Sequence, residues 1–207
     1  MTLSAVEVNR LKQATAAEGV LPAVVSRWSP RAFSSREVSA ADLRTVFEAA
    51  RWTASAYNEQ PWRFLVGRRG TPTYKKIFST LIGFNQSWAG SAPVLILGVA
   101  STKFTHNGTT NGYGVYDLGA AASYLTLQAA ALGLATHQMA GFDQEIARKA
   151  FEIPEDYAFG SVIALGYQGE PAALGNEQLV AMESQPRERK PLNEFVLEAW
   201  GEAADLG

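Results

Sequence analysis

The sequence predicts an α+β fold with a mixed sheet, in one domain, on three observations. Helical and strand patterns follow one another without the strict strand–helix–strand order of a doubly wound fold. The run Pro93–Ala100 is apolar throughout and bounded by loops, the pattern of a strand covered on both faces. The chain has 207 residues, 47% of them apolar, enough to enclose one core, so 1–207 is expected to be a single domain.

The elements follow in chain order. Residues 1–20 are expected to form a helical extension. A helix is predicted over Ser39–Trp52, with Ser39 and Asp42 in a capping pattern and Leu43, Val46, Phe47 and Ala50 on one face. Trp62–Gly67 is a strand candidate, and Gly67–Gly70 a turn. Thr71 caps a further helix whose first position is Pro72 and whose apolar stripe is Tyr74, Ile77, Phe78 and Leu81. Pro93–Ala100 is the buried strand, and Ser101–Gly114 a polar surface loop expected to be mobile. Tyr116–Leu132 is alanine-rich and apolar almost all round, so it is expected to be a central, tightly packed helix ended by Gly133. A short segment to Gly141, a helix from Asp143 to about Phe151 and a last core strand Phe159–Tyr167 complete the body. Residues 170–207 form a polar arm broken by Pro171, Pro186 and Pro191, with an amphipathic stretch Leu192–Trp200.

Composition removes whole classes of chemistry. Eighteen basic and twenty acidic residues leave a formal charge of −2, without the general basic field that attracts nucleic acid. No cysteine is present, which excludes disulfides, thiolate catalysis and cysteine-held metal clusters. His106 and His137 are too few for a multi-histidine metal site, so no metal is expected. No apolar run approaches the ~18 residues of a membrane helix, and the N-terminus lacks a secretion signal, so a cytoplasmic location is the expectation. The phosphate-binding motif G-x-x-x-x-G-K-[ST], H-E-x-x-H and G-x-S-x-G are all missing. Gly112-x-Gly114 follows a loop and has Asp117 where a dinucleotide fingerprint needs its third glycine.

What remains is a set of anion-binding and amide groups. Arg27-Trp28-Ser29-Pro30-Arg31 places two guanidiniums and a hydroxyl within five residues, suited to a phosphate dianion but equally to a solvated basic turn. Arg187 and Arg189 form a second short basic run, in a tail that could be merely soluble. Asn58-Glu59-Gln60-Pro61-Trp62 sets two amides before a strand; amides match the edge of a heterocycle carrying both N–H and C=O, and Asn-x-x-Pro is also an ordinary turn. In His137–Asp143, Gly141 allows a flat ligand to approach the backbone, while His137 itself suits a satisfied histidine beside the core.

Taken together, Arg27-x-Ser-x-Arg31, Asn58-x-Gln-Pro-Trp62, Asn85 before the Pro93 strand, Asp117-x-Gly-x-Ala with Leu132-Gly-Leu134, Gly141-Phe-Asp143, Leu165-Gly-Tyr167 and Arg187-x-Arg189 resemble, in order and spacing, the nitroreductase family of flavin enzymes. The likeness runs from about Leu21 to Phe195. It implies an α+β fold with a central mixed, mainly antiparallel sheet flanked by helices, in an intertwined homodimer with FMN in the interface and the 170–207 arm wrapping the partner subunit. It also implies that Arg27, Ser29, Arg187 and Arg189 hold the FMN phosphate, with Trp28 contributing backbone. Arg31 would reach the N1/O2 side of the ring, where a fixed cation favours the reduced flavin. Ser55, Ala56, Asn58 and Gln60 would border the ring and ribityl chain, partly from the other subunit, and Asn85 would bond the pyrimidine edge. Gln138, Met139, Ala140 and Gly141 would lie against the ring, and Tyr57 and Phe84 would wall the acceptor pocket. Where several members place a lysine three residues after the pyrimidine-edge Asn, this chain has Trp88, which leaves the cationic duty to Arg31.

The activity implied is an NADH- or NADPH-dependent, ping-pong reduction of small nitroaromatic or quinone-type acceptors. Flavin N5 does the chemistry and no protein side chain is expected to be catalytic. The alternatives are a non-catalytic FMN-binding or sensory protein, or another flavin reaction on the same fold, such as dehalogenation, flavin fragmentation or heterocycle dehydrogenation.

Overall fold

The computed structural model describes residues 2–16 and 18–206. Its elements are α1 (Ala5–Leu11), α2 (Pro22–Ser26), α3 (Ala40–Arg51), β1 (Trp62–Arg68), α4 (Pro72–Thr80), α5 (Gly83–Ala89), β2 (Val94–Ser101), α6 (Gly114–Ala131), β3 (Ala135–Met139), α7 (Gln144–Phe151), β4 (Tyr157–Gly166), α8 (Glu177–Glu183), β5 (Leu197–Ala199) and β6 (Glu202–Ala203). The main sheet has the order β1-β2-β4-β3 and all three neighbouring pairs run antiparallel. The sheet expected to be mixed is therefore antiparallel throughout among the described residues.

β2 shows why a continuous apolar run folds this way. Successive side chains of a strand point to opposite faces. Leu95, Leu97 and Val99 enter a core shared with α4, α5, α7 and α8, while Val94, Ile96 and Ala100 enter one shared with α3 and α6. Helices on both faces give every one of these side chains a buried partner. The caps also follow the sequence. Ser39 accepts the Asp42 N–H, Thr71 accepts that of Tyr74, and Asp143 that of Ile146. Gly133 follows α6 at φ +72°, a conformation that closes the helix without Cβ strain.

Four further expectations are corrected. α6 buries Leu118, Ala121, Ala122, Leu125 and Ala129 against the sheet and α3, but leaves Tyr116 76% and Tyr124 49% exposed, so it is central on one face only. The Ser101–Gly114 loop is tied down: the Phe104 N–H donates to Thr109, that of Asn111 to Thr102, and Lys103 pairs with Thr110. The stretch Leu192–Trp200 is a single turn running into the β5–β6 hairpin, with Phe195 and Trp200 exposed. Of the N-terminal extension only Ala5–Leu11 is helical; Met1 and Ala17 lie outside the described residues.

Candidate functional site

The segment 27–31 runs in extended form after α2, and everything that meets it comes from far away in sequence. The Arg27 guanidinium donates to Ser29 Oγ at 3.3 Å. From the C-terminal arm, Arg187 donates to the carbonyl oxygens of Arg27 and, at 2.6 Å, Val25. Arg189 lies close enough for its charge to act on both Arg27 and Arg187. Burial and then this mutual repulsion lower the proton affinity of Arg27 and Arg187. Among the described residues, none of the three arginines is paired with a carboxylate. Three like charges gathered around the segment that carries Ser29, none of them paired with a carboxylate, make an arrangement that a bound anion would neutralise.

Arg31 stands at the other end of this segment. Its guanidinium is 3.8 Å from Glu183 and its carbon lies 5.9 Å from the centre of the Phe84 ring. The His137 ring nitrogen Nδ1 is 3.0 Å from the Pro30 carbonyl, and the ring packs 4.5 Å from that of Trp88. Burial, more than any other cause, pushes His137 down to about 4, so it is a neutral ring that braces the segment by hydrogen bonding.

The second helix of this region, α5, follows a turn at Ile82 and carries Phe84, exposed, beside Asn85, buried. The Asn85 amide donates to the Gly141 carbonyl at 2.9 Å. A Cβ on Gly141 would sit 2.7 Å from both Asn85 Nδ2 and Ile82 Cδ1, so any larger residue there would displace the ends of those two side chains. Ala140 is exposed beside it, but Met139 is a core side chain. Gln138 points to the opposite face of β3, where its amide contacts Thr126 at 3.3 Å and Ser161 at 3.2 Å. Of the expected 138–141 group, Gln138 and Met139 therefore turn their side chains away from the His137 face or into the core.

The 55–60 segment forms a separate cluster. The Ala56 N–H donates at 3.1 Å to Asp117, a buried carboxylate in the first turn of α6, and Ser55 Oγ accepts the Gln60 N–H at 3.0 Å. Gln60 also bonds Asn58 at 3.2 Å. Tyr57, Asn58 and Gln60 all have positive φ, near +50°, which few non-glycine residues adopt. The Tyr57 ring is 84% exposed and packs 5.5 Å from Phe104 and 5.8 Å from His106. Glu59 fastens the loop bearing those rings through the Thr105 N–H at 2.9 Å.

The two clusters lie at opposite ends of α6. Arg27 and Trp28 share a cavity wall with Ala130 and Gly133, whereas Ala56 is tied to Asp117. Thirteen helical residues separate Asp117 from Ala130, about 20 Å at 1.5 Å per residue. Within one chain, then, Tyr57 stands with the Asp117 end of α6, and Phe84 lies by Arg31.

Sequence reasoning missed Lys12, Glu59, Phe104, His106 and Glu183. Phe104 and His106 could have been found as the only rings in an otherwise polar loop besides Tyr113. Nothing in the sequence joins Lys12 or Glu183 to the Arg31 segment.

The family model for the nitroreductase family matches residues 24–78 and 73–167. An uncharacterised 15.4 kDa protein of Mycolicibacterium smegmatis is 37% identical over 147 residues, 67% of this chain and 97% of its own length. An NADH dehydrogenase of Thermus thermophilus is 29% identical, covering 84% of this chain and 93% of its own. A solved structure of an oxidoreductase containing FMN superposes with a TM-score of 0.83 at 30% identity, over 90% of this chain and 94% of that one. A nitroreductase family protein from Streptococcus pneumoniae TIGR4 shares the fold, with a TM-score of 0.66 at 22% identity over 84% of this chain and 96% of its own. The family match spans well over half the chain and includes the 27–31 and 55–60 segments, so this protein belongs to the nitroreductase family.

Proposed function

We propose that the protein is an FMN-dependent oxidoreductase that takes a hydride from NADH or NADPH and passes it, in a ping-pong cycle, to a small nitroaromatic or quinone-type acceptor. The observation that carries this reading is the gathering of Arg27, Arg187 and Arg189 around the 25–29 segment, Arg27 on the Ser29 hydroxyl, Arg187 on the main chain of Val25 and Arg27, and Arg189 within reach of both charges, with no carboxylate paired to any of them among the described residues. A compact site of that kind fits the terminal phosphate of FMN, and the chain lacks the glycine fingerprint that would hold a dinucleotide. The related oxidoreductase containing FMN supports the same choice. When bound, the flavin supplies the hydride chemistry at its N5 position.

The chain's own residues bind and orient. Arg27, Ser29, Arg187 and Arg189 hold the phosphate, and Arg31 offers a fixed cation to the N1/O2 edge. Asn85 and the main chain at Ala140 and Gly141 meet the pyrimidine side. The remaining groups, Ser55, Ala56, Asn58 and Gln60, come from a second copy of the chain. An antiparallel two-fold pairing along the exposed face of α6, through Gly119, Ala120 and Tyr124, sets the Asp117 end of one copy beside the Ala130 end of the other. That pairing also covers Tyr116, and the 170–207 arm, with Phe195 and Trp200 exposed, wraps the partner.

Heat release of the flavin followed by chromatography tests the cofactor; FAD as the main species would overturn the assignment. Anaerobic mixing with NADH and NADPH separately should bleach the flavin. A yellow protein that neither donor bleaches would favour the non-catalytic reading. Light scattering should give twice the chain mass, and a flavin-loaded monomer would remove the two-chain site.

A further inference from the structure

The C-terminal helix α8 ends on an acid that the flavin reading leaves unused. Glu183 is wholly buried, yet it lies among charges rather than among apolar groups alone. One carboxylate oxygen accepts the Arg31 backbone N–H at 2.8 Å and stands 3.8 Å from the Arg31 guanidinium. Burial pushes the Glu183 carboxyl up from its ordinary value, while the N–H groups of Arg31 and Ala32 and the charges of Arg31 and Lys12 act to keep it ionised. From α1, Lys12 is 6% exposed; its ammonium lies 4.8 Å from the centre of the Trp28 ring and 3.5 Å from the Met182 carbonyl, and it acts electrostatically on Glu183. Arg31 and Arg187 both repel Lys12. The second Glu183 oxygen and Arg31 Nε are both buried without a hydrogen-bond partner.

We infer that Glu183 is a positioning residue for Arg31, and that with Lys12 it sets how much positive charge Arg31 presents to the bound flavin. Three physical points support this. A buried carboxylate accepting the main-chain N–H of Arg31 fixes where the side chain starts, and its charge limits the directions the guanidinium can take. The second Glu183 oxygen and Arg31 Nε are both unmet within one ion pair held at 3.8 Å, so each side chain keeps unused hydrogen-bonding capacity beside the other. Burial makes the pair's mutual field strong, so a change of one charge at Glu183 reaches whatever Arg31 touches. The inference rests on the FMN reading above and adds to it a residue outside the flavin's contact set.

The test is a charge series in the FMN-loaded dimer, read by dye-equilibrated two-electron potential and by fluorescence titration of FMN. Glu183→Gln keeps acceptors for the Arg31 and Ala32 N–H groups and removes the negative charge. It should raise the reduced-to-oxidised ratio about tenfold at fixed potential, a rise of about 30 mV. Lys12→Met removes a positive charge from the same cluster and should move the potential the other way. Glu183→Asp keeps the charge but shortens the reach; it should leave the potential near that of the parent and weaken FMN binding. A purely structural Glu183 would weaken binding without these opposed shifts. Potentials of Glu183→Gln and Lys12→Met that stay at the parent value, or that shift in the same direction, would overturn the inference. Should Glu183→Gln not fold, the Lys12→Met and Glu183→Asp pair decides by the same readout. A parent protein that binds no FMN would overturn the functional reading and this one with it. Bound FMN with an unmoved potential would overturn this one alone.

Discussion

The two ends of α6 are built on opposite principles. At the C-terminal end, Arg27, Arg31, His137, Glu183 and Arg187 come from three distant parts of the chain, the 27–31 segment, β3 and the C-terminal arm, and their contacts are charged, part-buried and made largely to main chain. At the N-terminal end, Ser55–Gln60 bonds mostly to itself, and its outward ring, Tyr57, rests on two rings of one exposed loop. The first end is specified by the whole fold, because moving any element breaks it. The second is a local structure pinned to the body by Asp117 and Glu59. A site that must hold one cofactor benefits from the first kind of construction; a rim that meets varied acceptors tolerates the second.

The comparison breaks most easily at the phosphate end. Arg27→Ala removes a half-buried, charge-assisted donor from the proposed anion site and should weaken FMN binding by about 2–4 kcal/mol. Arg189→Ala removes an exposed guanidinium and should fall at or below the low end of that range. Titration of the apoprotein with FMN gives both numbers. Parent affinity in the Arg27 variant would mean that the charged end does not hold the phosphate.

Acid should loosen the same end. His137 titrates at about 4 in the fold against 6.5 for the free side chain, chiefly through burial. Between those values the unfolded chain binds a proton that the folded chain refuses. The contribution is therefore complete above pH 6.5 and is lost as pH falls toward 4, by about 3 kcal/mol at about 1.4 kcal/mol per pH unit. Urea unfolding of the apoprotein at several pH values should show the decline, and His137→Asn should flatten it. An equal slope in the variant would place the titrating group elsewhere.

How much of this was legible in the sequence follows the same division. Arg27-x-Ser-x-Arg31 and Asn58-x-Gln-Pro-Trp62 are short, local patterns, and long periodic segments such as α3, α4 and β2 show their faces directly. The helices α2, α5 and α8 span only five to seven residues, too short for two turns of periodicity, and escaped notice. Asn176, which caps α8 by accepting the Leu179 N–H, was the available signal. The Lys12–Glu183–Arg31 cluster joins the two ends of the chain, and no spacing rule reaches that far. α6 taught a different lesson: an all-round apolar helix states that its faces leave water, not that this chain alone covers them.

A smaller effect separates field from binding at the charged end. Arg31→Met removes the cation and keeps much of the stem. Oxidised FMN should stay bound while the reduced, anionic form loses about 1.4–2.8 kcal/mol of stabilisation, a fall in potential of about 30–60 mV. Stopped-flow mixing should show slower reduction by NAD(P)H and reoxidation that holds or quickens. An unchanged potential would put Arg31 on the phosphate or in solvent and would leave the charged end with a binding role only.

The smallest expected effect lies at the rim, and it sharpens the contrast most. Tyr57 holds φ +53°, a conformation costing an ordinary residue about 1–2 kcal/mol that glycine adopts freely. Tyr57→Gly relieves that cost but adds backbone freedom to the unfolded chain and removes the ring contacts with Phe104 and His106, each about 0.5–1.5 kcal/mol. These terms oppose one another, so stability should move by no more than about 1 kcal/mol in either direction. FMN affinity should change by less than tenfold, about 1.4 kcal/mol, because Ser55, Ala56 and Gln60 keep their own bonds. Bleaching by the nicotinamide donor should persist, while KM for a flat aromatic acceptor rises with kcat held. A loss of FMN affinity as large as that of Arg27→Ala would end the distinction between the two ends: the rim would then belong to the cofactor site, and its strained backbone would serve binding rather than acceptor choice.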